Sequence, residues 1–222
     1  MKKTKTLIRK FDPEILKKRS LGVNSPAILI ISKKQTDSIT LIKNLMSKMD
    51  IPSVVCMSSK EGGDGFYSDY RSDIVEELIN TQIEKSKKYR EEGIYHYNRP
   101  DLRACLVIDE CGYDRSLFYQ KEINSLFMNG RHWNTSVIMG TQYLINIPRE
   151  ICDFVEYVFC FRDNIISSQQ RLYDSYFNMT FDTFLDFQEL FNEYTKDYDC
   201  IIFDNTSYSN KIEDCVLYYK ID

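Results

Sequence analysis

Apolar positions along the chain fall into two kinds of run. Residues 27–31, 54–57 and 104–108 are short apolar stretches that do not alternate with polar positions, the pattern of strands buried on both faces, and further strands are expected at 136–141 and 155–161. Between them the spacing lengthens. Ile42, Leu45, Met46 and Met49 recur at helical intervals until Pro52, and Ile74, Val75, Leu78, Ile79 and Ile83 do the same, with Glu76, Lys87 and Lys88 on the opposite, solvated face. Asn24-Ser25-Pro26 punctuates the chain before the first strand, and Asn98-Arg99-Pro100 marks a loop before the third. A helix over 116–128, late strands at 201–203 and 216–219, and a capped amphipathic helix within 181–191 that covers the sheet complete the series. Alternation of this kind predicts a three-layer α/β fold: a largely parallel sheet with helices on both faces. In such sheets ligands sit at the carboxyl ends of the strands. Those ends present Ser32, Asp109, Glu110 and Gln142.

Length and composition narrow the picture. With 222 residues, 43% of them hydrophobic, the chain can bury one sizeable core and reads as a single domain over 1–222, with 1–23 expected as a flexible basic arm. Twenty-nine Lys and Arg against thirty-three Asp and Glu leave a net charge of -4, so any DNA contact must be a local patch or belong to an oligomer. The apolar runs are far shorter than the roughly 20 residues that cross a bilayer. No transmembrane segment is expected, and the charged start Met-Lys-Lys-Thr-Lys carries no apolar signal core. A soluble, reducing compartment follows. Seven cysteines form no CxxC pair, and Cys105, Cys160 and Cys200 lie in apolar runs, as structural thiols do. With only His96 and His132, a zinc site would need distant cysteines to converge. The sixteen tyrosines and thirteen phenylalanines are read as core and interface packing. Gly62-Gly63-Asp64-Gly65 follows the second strand without opening a helix and is read as a mobile loop.

An apolar strand ending in Asp109-Glu110 meets the requirement of a Walker B element, a carboxylate for Mg²⁺ beside a base that orients the attacking water. Strand-ending acids also cap helices. Asn129-Gly130-Arg131-His132-Trp133-Asn134 then leads into a strand ending in Thr141-Gln142-Tyr143, followed by Ile147-Pro148-Arg149. In these motifs residues 24–165 resemble the genome-packaging ATPases of poxviruses and other nucleocytoplasmic large DNA viruses, within the FtsK/HerA superfamily of P-loop ATPases. The resemblance implies a RecA/FtsK-like motor domain that assembles as a homo- or hetero-oligomer. It further implies ATP and Mg as cofactors, viral double-stranded DNA as substrate, capsid or membrane-associated virion proteins as partners, and a place in the host cytoplasm or virion. It casts Asp109 as the magnesium residue, Glu110 as the base, Arg131 as a finger reaching a neighbour's γ-phosphate and Gln142 as a polar sensor. A surface turn cation and a loop amide are the plain alternatives for Arg131 and Gln142.

The family's phosphate loop, GxxxxGK[ST], maps onto the turn after Ile31, and there the resemblance fails. Ser32 and Asp37 stand at the glycine positions, Ser38 at the lysine position and Ile39 at the hydroxyl position. Glycine lets backbone N–H groups curl around phosphate, and lysine and hydroxyl supply charged hydrogen bonds of about 1.5–3 kcal/mol each. Losing them predicts nucleotide affinity lowered by roughly two to four orders of magnitude. Lys33 or Lys34 as an atypical phosphate lysine, with Thr36, Ser38 or Thr40 as hydroxyl, is one rescue. A neighbouring subunit is another. Three functions therefore stand: a divergent packaging ATPase with a rebuilt phosphate site, a non-catalytic pseudo-ATPase serving virion assembly, and a DNA-binding module without ATP.

Overall fold

The computed structural model describes residues 7–21, 24–33, 35–58, 68–69, 71–92, 101–110 and 115–221. The expected strands become β2 (Ala27–Ile31), β3 (Ser53–Ser58), β5 (Ala104–Asp109), β6 (Thr135–Thr141) and β7 (Tyr157–Cys160), joined by β8 (Cys200–Asp204) and β9 (Val216–Tyr219). Two short strands, β1 (Arg9–Lys10) and β4 (Ser68–Asp69), form the edges of a nine-stranded sheet ordered β1-β9-β8-β7-β2-β6-β5-β3-β4. Among the described strands only β8 runs against its neighbours. The sheet is thus mostly parallel, and β2, β3, β5, β6 and β7 present their carboxyl ends along one rim.

Alternate residues of each strand feed two cores. Leu29, Leu106, Ile108, Val137 and Val158 face one side, where α3 (Ser72–Glu91), α4 (Lys121–Asn129), α5 (Arg149–Phe154), α6 (Ile166–Leu172) and α7 (Phe184–Tyr194) bury their apolar stripes. Ile28, Ile30, Cys105, Val107 and Phe159 face the other, against α1 (Glu14–Leu21) and α2 (Gln35–Met49). Unbroken apolar runs are the consequence of having both faces covered. A short helix, α8 (Ile212–Cys215), leads into β9. Burial pushes the thiols of Cys105, Cys160 and Cys200 well above their ordinary range, which keeps them as inert packing groups.

Three sequence expectations change. Residues 7–21 do not hang loose: β1 pairs with β9, and Phe11 meets Tyr157, Phe159 and Tyr219 edge-on at ring distances of 5.7, 5.5 and 6.0 Å. The helix expected over 116–128 is split into a 3-10 turn, Arg115–Tyr119, and α4. At the break Gln120 is extended, and Asn124 Nδ2 reaches back to the Phe118 carbonyl at 2.6 Å, an acceptor the interrupted helix would have used, while the Gln120 carbonyl accepts from both the N–H and Nδ2 of Asn124 at 3.1 Å. The helix within 181–191 begins at Phe184, after Thr183, whose hydroxyl accepts from the Asp186 N–H at 3.2 Å. The glycine-rich 62–65 segment and the 98–100 loop lie outside the described residues.

Candidate functional site

The rim of carboxyl ends gathers most of the residues singled out by the sequence. Register places Ile31 beside Thr141 on one side and Cys160 on the other, and Ile108 beside Met139, so Asp109 falls level with Gly140. Hydrogen bonds from Ser32 N–H to Thr141 O and from Phe161 N–H to Ile31 O, both 3.0 Å, extend the pairing past the strand ends. Strands β2 and β5 flank β6, so their tips stand about 10 Å apart.

Asp109 is 1% exposed and its carboxylate lies flat against Gly140. A Cβ on Gly140 would collide with Asp109 Oδ1 and come within 3.1 Å of its Cγ. Only glycine leaves room. Glu110, 3% exposed, takes a left-handed backbone with φ 56°, a conformation that costs a side-chain-bearing residue of order 1–3 kcal/mol. Its Oε1 accepts from Gln142 Nε2 at 3.1 Å. The three residues Asp109, Glu110 and Gln142 therefore meet at one tip, contributed by β5 and β6.

The turn after β2 is short. Helix α2 starts at Gln35, so the connection from Ile31 is Ser32–Lys33–Lys34, and Asp37 and Ser38 occupy the first helical turn rather than a loop. Asp37 already supplies a negative charge to the helix's amino end, which favours anions. Ser38 is buried and Thr40 exposed. Lys34 lies outside the described residues, as does the side chain of Thr36. Lys33 reaches sideways over β7, where its ammonium meets Asp163 Oδ1 at 2.6 Å. It lines a cleft of about 530 Å³ together with Asp37, Arg162, Asn164, Lys196 and Tyr198.

Asp163 was not among the sequence candidates, yet the signal was present: an acid just beyond a buried parallel strand, as at Asp109. Gly140, the seat of the Asp109 carboxylate, was also missed, since a strand-borne glycine declares its purpose only when its neighbour is known.

Arg131 is not part of this tip. It sits on the 3-10 turn Gly130–Trp133 at the opposite end of β6, about 20 Å away by strand length. Its exposed side chain lies near Glu156, whose carboxyl is pushed up by burial and drawn back by Arg19 and Arg131. Gly130 has its own reason, since a Cβ there would stand 2.8 Å from the Thr135 carbonyl where the turn folds into β6.

A mostly parallel sheet with helices on both faces, an acidic strand tip and a strand-to-helix turn beside it defines the three-layer fold of P-loop NTPases. Solved structures with this architecture agree. The genome packaging NTPase B204 from Sulfolobus turreted icosahedral virus 2, in complex with AMPPCP, superposes with a TM-score of 0.58 at 14% identity, over 90% of this chain and 99% of that one. The cytoplasmic domain of the Thermomonospora curvata Type VII secretion ATPase EccC gives 0.60 at 12% identity, over 90% of this chain and 25% of that one. In sequence the chain is 32% identical over 196 residues to the "Uncharacterized protein 088R" of Invertebrate iridescent virus 3, covering 87% of this chain and 74% of the relative. The family described as Zonular occludens toxin (Zot) matches residues 64–205, and the chain belongs to that family. Its likeness to viral packaging ATPases holds at the level of the fold. Among the described residues no helix is long and apolar enough to cross a membrane.

Proposed function

We propose that this protein is a divergent packaging-type ATPase of a large DNA virus, working in an oligomer on double-stranded DNA, with nucleotide affinity weakened by its altered phosphate turn. One observation carries the reading: Glu110 is buried in a left-handed backbone at the end of β5, its carboxylate bonded to Gln142 just beyond β6. Strain of this kind persists where surrounding structure over-determines it, and it concentrates at functional tips. Glu110 orients the attacking water and Gln142 holds the carboxylate in line. Asp109 offers the hard oxygen that Mg²⁺ takes; bound there, the ion supplies neutralisation of phosphate charge. In this reading Arg131, a strand's length from its own tip, acts on a neighbouring subunit rather than its own.

Calorimetric titration with Mg-ATPγS and a DNA-stimulated hydrolysis assay test this. Binding in the millimolar range is expected, with turnover reduced at least about 100-fold in Glu110→Gln, the usual scale for a lost general base. Absence of binding throughout the millimolar range would refute the proposal.

A second reading, a non-catalytic pseudo-ATPase in virion assembly, has its own observation: α2 begins before Asp37 and Ser38, so a helical turn replaces the phosphate loop. Turnover by the purified protein that disappears in Glu110→Gln excludes it.

A further inference from the structure

The ion pair that Lys33, on the wall of the 530 Å³ cleft, makes with Asp163 is less exposed than surface pairs such as Lys17–Asp50 and Lys87–Glu91. Lys33 and Asp163 are 30% and 11% exposed, and the ammonium lies 2.6 Å from Oδ1. That oxygen also accepts the Ile165 N–H at 2.7 Å, and the Asp163 carbonyl accepts from Gln169 Nε2 at 2.6 Å. Gln169 is itself buried and accepts from Gln188 of α7 at 2.7 Å. The carboxylate is thus held by the Ile165 N–H, and the backbone that carries it is fixed through Gln169 in the corner between β7 and α6. Lys33, by contrast, is a flexible side chain on the short turn after β2. Arg162, the neighbouring cation, is committed elsewhere, donating to Asn164 Oδ1 at 3.1 Å and to the Asn192 carbonyl at 2.7 Å.

An anchored carboxylate holding a mobile ammonium, at the strand end where phosphate binds in this fold, is an internal competitor for that ammonium. We propose that Lys33 is the phosphate-binding cation of this chain and that Asp163 is a latch which holds it, so that a nucleotide polyphosphate must displace the carboxylate to bind. The inference rests on the nucleotide reading above and deepens it. Exchange of one anion for another explains how a site without the usual lysine keeps a cation within reach. It also makes low affinity a built-in property of the turn and its neighbour.

The variant Asp163→Asn separates charge from structure, because its Oδ1 still accepts the Ile165 N–H. Asp163→Ser, which keeps an oxygen for the same N–H, serves as a second variant should the first fold poorly. Mg-ATPγS is titrated calorimetrically at low ionic strength into the full-length wild type, Asp163→Asn, Lys33→Ala and the double variant. Asp163→Asn is expected to bind about 5- to 10-fold tighter, the scale of a partly buried ion pair. Lys33→Ala should bind more weakly than wild type, and the gain from Asp163→Asn should vanish in the double variant. If wild type binds and Asp163→Asn binds no tighter, the latch is overturned while the nucleotide reading stands. A gain that survives without Lys33 reflects general charge and also overturns it. Binding by Asp163→Asn alone supports the latch, and silence in wild type and all three variants overturns both readings.

Discussion

Gly140 and Asp109 show how one hydrogen atom in place of a methyl group sets the chemistry of a strand tip. The carboxylate lies where a Cβ on the neighbouring strand would be, so Gly140→Ala forces either the carboxylate or the strand to move. Overpacking of a buried site costs about 1–3 kcal/mol. Urea denaturation of Gly140→Ala should show a loss of that order, together with loss of Mg-ATPγS binding, whereas a strand glycine kept for flexibility alone would leave binding intact. At this scale the site was only partly legible. Asp109, Glu110 and Gln142 could be found because each ends an apolar run. Asp163 ends one too, but its partner Lys33 lies 130 positions away in sequence and nothing local joins them.

Helix α2 illustrates a constraint at the scale of an element. Its carboxyl end is stapled by Arg103, whose buried guanidinium donates to the carbonyls of Met49 and Asp50 at 2.9 and 2.7 Å and to Ser20 Oγ at 3.1 Å, with Asp101 as counter-ion at 2.6 Å. Helix ends leave such carbonyls without intrahelical donors, and a planar fork serves several at once where an ammonium cannot. Arg103→Ala is expected to cost roughly 2–4 kcal/mol in chemical denaturation, with Arg103→Lys recovering little of it. The same staple has a pH signature. Hydrogen bonds from Arg103 hold the Asp101 carboxyl below its usual range, against partial burial that raises it. A carboxyl lowered on folding contributes stability above its unfolded value of about 3.9 and loses it as pH falls through the folded value. The stability gap between wild type and Asp101→Asn should therefore be constant from about pH 5 to 7 and close as acid approaches the lowered value. Helix limits were legible where a breaker such as Pro52 stood, and illegible at Gln120, where the Asn124 side chain satisfies the Phe118 carbonyl on the far side of the break.

Across the whole molecule the sheet is closed at one edge by residues that looked dispensable. Strand β1 covers β9, and Phe11 fills a cage of Tyr157, Phe159 and Tyr219. Truncating a buried phenylalanine typically costs about 3–5 kcal/mol, so Phe11→Ala should lower the urea midpoint by a corresponding amount without changing the fold seen by circular dichroism. A basic composition hid this, since Phe11 stands alone and Ile8 and Leu16 lie in apolar pairs, Leu7-Ile8 and Ile15-Leu16, too short among charges to read as a strand or a helical stripe. The chain's own pattern determined the α/β class, the main strands and the acidic tip, because burial on both faces demands unbroken apolar runs and leaves polar residues only at their ends. Tertiary structure alone decided the reversal of β8, the docking of β1 on β9, the seat of Asp109 on Gly140 and the capture of Lys33 by Asp163. Each of these joins residues whose local patterns are complete without the other, and only the strand order brings them within reach.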